Sequence, residues 1–313
     1  MRPARAASGP RGGGKIGRWR ADRGGGCASA ARLCCPQWPH QTQRAIDRRA
    51  ACPQQPKPVR HGRRSPVRGA SQTWIVGGAL QTGVVTVERP ALLLGATVWT
   101  RTAPGGDYLI LPDGCMDLLL MDDDLVVAGP DSRAWTGTAR PGTRYAGLRF
   151  APGDAPTFLG VPANALLNER VPLSELWSRS RSRKLADRVR SAADPASELD
   201  LAVAELMGTP ADPFARQVFQ HVRADTLRVG RGVLGLARKL DISERQLHRR
   251  CLSAFGYGAK MLDRVLRMNA ALDRARTGQG LAEVAAISGY ADQAHLTRDV
   301  KALTGLPPST LLR

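Results

Sequence analysis

The chain has 313 residues, 42% of them hydrophobic and 23% charged, which excludes wholesale disorder and suggests about two domains. No apolar run approaches the roughly 18 residues a spanning helix needs, so no membrane partner is expected. The net charge of +19 is uneven: 16 basic against 2 acidic residues in 1–84, 13 against 17 in 85–212, and 17 against 8 in 213–313. A mildly acidic middle followed by a basic end points to two tasks on one chain, the second with a polyanion.

Residues 1–84 lack a sustained period of 2 or 3.6 and are rich in Arg, Gly, Pro and Gln, which predicts a disordered basic tail. Three origins compete. A targeting peptide fits poorly with the Gly-rich and Pro-rich blocks. A basic arm touching nucleic acid is the second. The preferred reading is a start codon assigned too early, with Val84 or Val85 as the native start; 40 Arg against 6 Lys fit a GC-rich source. Cys27, Cys34, Cys35 and Cys52 lack paired CxxC spacing and flanking His, so no metal site is expected there. Only Cys115 and Cys251 lie beyond the tail, which fits a reducing cytoplasm.

From Val85 to about Phe150 short apolar runs alternate with turn signals. Strands are predicted at Ala91–Leu94, Thr97–Thr100, Tyr108–Leu111, Met116–Met121, Leu125–Ala128, Ala134–Thr138 and Tyr145–Phe150, separated by Pro104–Asp107, Pro112–Gly114, Asp122–Asp124, Gly129–Pro130 and Pro141–Gly142. The spacing suggests a small antiparallel barrel or sandwich. Helices are predicted at Ala163–Asn168, Leu173–Trp177, Lys184–Ala193 and Glu198–Met207. The five histidines are His40, His61, His221, His248 and His295, so the β segment has none for a metal site. No Ser–His–Asp set, nucleotide loop or redox CxxC occurs either, and neither cofactor nor enzyme activity is expected.

In Leu111–Leu118 a turn feeds an apolar strand. Alternation sets Cys115, Asp117 and Leu119 on one face and Met116, Leu118 and Leu120 on the other. Asp117 either pairs with an arginine beside a tight turn or faces a ligand cavity with Trp99, Trp135 and Arg149. Cys115 reads as a small core hydrophobe or as a reactive thiol.

The C-terminal region carries helix signals of another kind. Asp212 caps and Pro213 opens a helix with Phe214, Val218 and Val222 as its stripe. A helix from about Val233 to Leu240 precedes Ser243, which with Gln246 forms a capping box. The helix that starts there buries Leu247 and Cys251 and shows Arg245, Gln246, His248, Arg249 and Arg250. Two short helices around a tight turn, the second basic, make a helix-turn-helix. The turn needs a left-handed residue, expected at Asp241. The pattern then recurs. Leu281–Ile287 is a short helix, Gly289 the left-handed position, and Asp292 caps a helix through Gln293, His295, Thr297 and Arg298 to Leu303. Ala237 and Ala285, Asp241 and Gly289, and Ile242 and Tyr290 align at an offset of 48, and one extra residue then matches Leu247 with Leu296 and Cys251 with Val300. A long amphipathic helix through Met261, Leu262, Val265, Leu266, Met268 and Leu272 connects the two units. Its Lys260, Arg264 and Arg267 read as solvated.

Ile242-Ser-Glu-Arg-Gln-Leu-His-Arg-Arg250, Gly289-Tyr-Ala-Asp-Gln-Ala-His-Leu-Thr-Arg298 and Thr304-Gly-Leu-Pro-Pro308 resemble the signature of the AraC family of bacterial transcription regulators. More faintly, Leu111–Gly114 and Val171-Pro-Leu-Ser-Glu-Leu-Trp177 resemble the cupin-like sensor domain often fused in front. The resemblance implies an α+β chain of three parts: the tail (1–84), a cupin-like sensor domain (85–205) and a double helix-turn-helix domain (212–313). It implies a sequence-specific regulator, bacterial and cytoplasmic, whose partner is double-stranded operator DNA. Two helices would enter major-groove segments one turn apart, roughly 34 Å. Arg245, His248 and Arg249 would reach the first groove, and Gln293, Thr297 and Arg298 the second, though Arg298 also matches a position that forms structural ion pairs. His295 would face phosphate or pack. A small effector at Trp99, Asp117, Trp135 and Arg149, a homodimer, and RNA polymerase contact for an activator complete the expectation. The chain departs from the pattern at Cys251 and Val300, where the family favours Phe, at Ala259, where it favours Pro, and at Asp241, where it favours Gly. The rival readings are an enzyme of the DNA-repair alkyltransferase kind using Cys115, and a non-specific DNA binder.

Overall fold

In the computed structural model, residues 73–75, 85–207, 212–224 and 232–312 are described. The expected tail lies outside the described residues except for one three-residue strand, β1 (Thr73–Ile75), where no element was predicted.

Eight further strands follow: β2 (Val85–Pro90), β3 (Thr97–Thr102), β4 (Gly106–Ile110), β5 (Asp117–Met121), β6 (Asp124–Ala128), β7 (Trp135–Ala139), β8 (Arg144–Arg149) and β9 (Arg170–Pro172). They form a three-stranded sheet ordered β1-β4-β7 and a six-stranded sheet ordered β2-β3-β8-β5-β6-β9. Every pairing is antiparallel except β1 with β4. Among the described residues no ladder joins the two sheets, so the unit is open, not a closed barrel.

Alternation works as the sequence suggests. Val98, Leu118, Val127, Leu148 and Val171 share one buried cluster with residues of the trailing helices. These are α1 (Ala155–Leu159), a 3-10 turn (Ala163–Leu166), α2 (Leu173–Leu176), α3 (Arg179–Ser191) and α4 (Pro195–Leu206). The opposite face of the six-stranded sheet carries Trp99 and Gly147 in register, and Asp117 opposite Arg149.

Two element predictions need correction. Ala91–Leu94 is a turn, not a strand: Ala96 N–H donates to Leu93 O, Gly95 has φ +81°, and Leu92 and Leu94 are exposed. The turn is pinned by Asp200, which accepts from Leu92 N at 2.9 Å and pairs with Arg89 at 2.7 Å. The true strand, β2, precedes it; as an edge strand it tolerates Glu88, Arg89 and Pro90, which hide it from an apolar pattern. The predicted helix Ala163–Asn168 stops as a 3-10 turn at Leu166, and Asn168 adopts φ +59° while its side chain accepts from Ser132 N.

The remaining helices are α5 (Pro213–Arg223), α6 (Gly232–Lys239), α7 (Glu244–Phe255), α8 (Ala259–Arg276), α9 (Leu281–Ile287), α10 (Gln293–Thr304) and α11 (Pro308–Leu311). The β part and the helical part belong to one compact unit, and two residues of the β part, Leu109 and Leu111, are buried in the same cluster as Leu296 and Val300.

At Gly129 a Cβ would sit 1.7 Å from Leu166 O, whereas at Gly280 it would meet nothing within 4 Å. Gly129→Ala should therefore cost about 3 kcal/mol or more in urea unfolding, and Gly280→Ala about 1 kcal/mol or less. Equal costs would contradict the packing of β6 against the 3-10 turn.

Candidate nucleic-acid interface

The two helical units repeat bond for bond. In the first, Asp241 N–H donates to Arg238 O (3.1 Å) and Ile242 N–H to Ala237 O (3.0 Å); in the second, Gly289 N–H donates to Ala286 O (3.2 Å) and Tyr290 N–H to Ala285 O (2.9 Å). Each bond recurs at the offset of 48. The turn residues are left-handed as expected, Asp241 at φ +53° and Gly289 at φ +71°.

The caps repeat as well. Ser243 Oγ accepts from Gln246 N and the Gln246 side chain returns to Ser243 N, completing the capping box. Asp292 Oδ1 accepts from His295 N at 2.6 Å. Both α7 and α10 span 12 residues and end on left-handed glycines, Gly256 and Gly305, an offset of 49. Leu247 and Cys251 of α7 are buried, as are Leu296 and Val300 of α10. The departures Cys251 and Val300 thus fill core positions.

On the outward faces the expected contact residues divide. Arg245, Arg249 and Arg298 are exposed, and among the described residues no acidic partner is seen for them, so the alternative of an ion-paired Arg298 is not the one adopted. Gln293 is exposed at the start of α10. His248 is exposed but lies beside Gly258, where a Cβ would come 2.8 Å from its Nδ1. Thr297 is half-buried and its hydroxyl donates to Gln293 O. Two polar residues on the basic side are structural instead. Gln246 is used in the cap, and the Arg250 guanidinium lies 3.5 Å from the centre of the Phe214 ring and 3.5 Å from Asp212, tying α7 to α5. His295 packs: its Nδ1 accepts from Ala291 N and its ring meets Tyr290 edge-on.

The connecting helix α8 departs from expectation. Arg264 and Arg267 are not solvated; both reach Asp299 on α10, Arg264 in close contact and Arg267 at 3.7 Å. Tyr290 OH donates to the same carboxylate at 3.2 Å, and Arg267 stacks over the Tyr290 ring at 4.5 Å. The signal was present in the sequence. Asp299 stands three residues after Leu296 and next to Val300, inside the apolar stripe, where an acid must be paired. Lys260 is exposed.

In the β part the structure joins Trp99, Asp117 and Arg149 but not Trp135. Trp99 Nε1 donates to Asp117 Oδ1 (3.1 Å), and Arg149 Nε lies 3.2 Å from Asp117 and 3.5 Å from Asp113. Burial raises the Asp117 carboxyl from its ordinary range, with Arg149 opposing; Asp117 in turn raises Arg149. The reading in which Asp117 pairs with an arginine is the one found. Trp135 lies in the other sheet, where Arg170 stacks on it at 4.5 Å while bonding Asp131. The Trp99 ring lies against the Gly147 backbone, where a Cβ would approach to 2.4 Å. No group of three His, Cys, Asp or Glu able to hold a metal occurs among the described residues.

Residues 236–313 match the family described as Helix-turn-helix domain, and residues 96–172 match one described as Domain of unknown function (DUF6597). The C-terminal region is an AraC-type helix-turn-helix domain. A domain of this type implies DNA binding. No curated protein matches the chain. Solved structures similar to it include ToxT from Vibrio cholerae, at 11% identity over 69% of this chain and 96% of that one with a TM-score of 0.38. A form of ToxT bound to an unsaturated fatty acid matches at 11% identity over 73% and 90%, with a TM-score of 0.37. No helix among the described residues is long and apolar enough to cross a membrane.

Removing the Asp299 carboxylate would strand two arginines and a tyrosine hydroxyl, so Asp299→Ala should lose about 3 kcal/mol in urea unfolding; a loss below about 1 kcal/mol would show that the cluster does not hold the AraC-type domain together. Burial, with the facing Asp113 carboxylate, pushes the Cys115 thiol well up, and burial pushes Cys251 up to about 12. Site-resolved mass spectrometry after iodoacetamide at pH 8 should find both unmodified in native protein and both modified in urea. Rapid native labelling of Cys115 would revive the alkyltransferase reading.

Proposed function

We propose that α7 and α10 are the reading heads of a one-component regulator that binds one face of an operator at two successive major-groove segments. The observation that carries this is the bond-for-bond repeat of turn and cap, which presents the free guanidiniums of Arg245 and Arg249 on one copy and Arg298 on the other. Arginine suits guanine O6 and N7. Gln293 at the start of α10 suits adenine, and His248 suits base or phosphate. Thr297 offers its methyl group and oxygen lone pairs, since its proton is bonded to Gln293 O. Phosphate contacts supply salt-dependent affinity, and the two helices supply sequence choice.

The Trp99–Asp117–Arg149 face is the candidate effector site. A small molecule would compete for a preformed donor–acceptor set. Trp135 belongs to that site only if its stack with Arg170 opens. Control requires an effector with different affinity for two arrangements of the chain. A homodimer, with RNA polymerase contact for an activator, and a cytoplasmic location fit this function. AraC-type membership argues against an enzyme, and the raised Cys115 thiol supports that reading.

Arg249→Ala and Arg298→Ala should each weaken binding to a duplex selected from random DNA by the full chain, by about 1–3 kcal/mol at fixed salt. Unchanged affinity in both would refute the assignment of the heads. Equal affinity of the native chain for selected and random duplexes would favour non-specific binding.

A further inference from the structure

The core beneath the second reading head is not made by the AraC-type domain alone. Leu109 and Leu111, only 7% and 2% exposed, are buried with Met268, Leu272, Leu296 and Val300. The core beneath the first head is drawn from Phe214 to Val265, with the sensor residue Leu167 only partly buried against it. Pro130 and Gly153 touch that first unit, at Gly256 and at Ala215 and Phe255.

Polar contacts reach both units: beside the first core, Arg216 of α5 donates to Asp154 at 3.2 Å. Ala134 N–H donates to Leu303 O at 2.7 Å. Leu303 is in the last turn of α10, where carbonyls have no donor within the helix, so the sensor part caps the second head. Asn269 Nδ2, on α8, donates to Pro112 O at 2.8 Å. Further along, Gly114, at φ +87°, comes so close to α8 that a Cβ there would lie 3.3 Å from Leu262 Cδ1, a residue of the first core. The other side of this loop holds the effector face: Asp113 and Asp117 flank Arg149.

We propose that the segment Leu109–Pro112 is the positioning element of the second reading head, so that these residues bias the second groove contact more than the first. The reading rests on the assignment of α7 and α10 to two groove segments. Leu111 fills the floor on which α10 sits, Asn269 fastens the loop to α8, and Ala134 closes the end of α10. Each acts through α10 and not by touching DNA. A ligand that draws Arg149 away from Asp113 and Asp117 releases the outer end of the same loop.

The test is hydroxyl-radical footprinting of the full-length chain on a duplex selected from random DNA, read base by base at fixed salt. Leu111→Ala and the milder Asn269→Ala should weaken protection of the second groove segment by about tenfold or more, with the first changed by about twofold or less. Leu118→Ala, which empties the sensor core facing away from α8, should lower the thermal midpoint and leave the ratio of the two protections unchanged. Arg298→Ala should also lose second-segment protection. If it does while Leu111→Ala and Asn269→Ala protect both segments as wild type does, or lose both equally, the positioning role is overturned and the DNA reading stands. If Arg298→Ala leaves the second segment protected, the DNA reading falls and the positioning role with it.

Discussion

The carboxylate of Asp299 gathers two arginines of the connecting helix and the hydroxyl of the turn tyrosine. It sits on α10, Arg264 and Arg267 sit on α8, and Tyr290 is the first residue after the left-handed Gly289. One buried charge thus fixes three elements. That geometry sets the distance between α7 and α10, because only three residues separate the end of α7 from the start of α8, which is itself the floor of both cores. A hydrophobic contact alone would permit sliding; a carboxylate shared by two guanidiniums has a defined position. Burial makes the arrangement exacting, since an acid left there without partners is costly.

The β part shows the same economy. Gly147 lets the Trp99 indole lie flat on the backbone, which brings its N–H to Asp117 and leaves that carboxylate between tryptophan and Arg149. The strand that bears Asp117 is continuous with the loop that leans on α8. The carboxylates beside Arg149 and the leucines buried beneath α10 are therefore a few residues apart along the chain. Conformational control in such a case needs no long pathway, only two arrangements of one loop with different affinities for a ligand.

Much of the helical half is legible without coordinates. Caps and left-handed turn residues act through bonds between residues two to five apart, so Ser243 with Gln246, Asp292, Asp241 and Gly289 announce themselves. The repeat offset converts weak local signals into one strong pattern. The β half is legible where short apolar runs bounded by turn residues mark central strands, as in β5, β6 and β8. It fails at the edge. The strand β2 has one neighbour and carries charge and proline, while the apolar Ala91–Leu94 run is held as a turn by Asp200, more than a hundred residues away.

The sequence by itself determined the N-caps of α7 and α10, the duplicated turn, the basic outer faces and the pairing of Asp117 with an arginine as one of two readings, because these depend on short-range geometry and on periodicity. Tertiary structure decided which polar residues are free. Arg249 and Arg298 are exposed with no acidic partner among the described residues, whereas Arg250, Gln246, Arg264 and Arg267 are engaged within the fold. It also decided that Trp135 stands apart from Trp99, and that two leucines of the β part complete the core beneath α10. The reason is physical: a charged side chain on a helix has the same local pattern whether its partner is water, a phosphate or a carboxylate from another element, and only the folded chain brings that partner within reach.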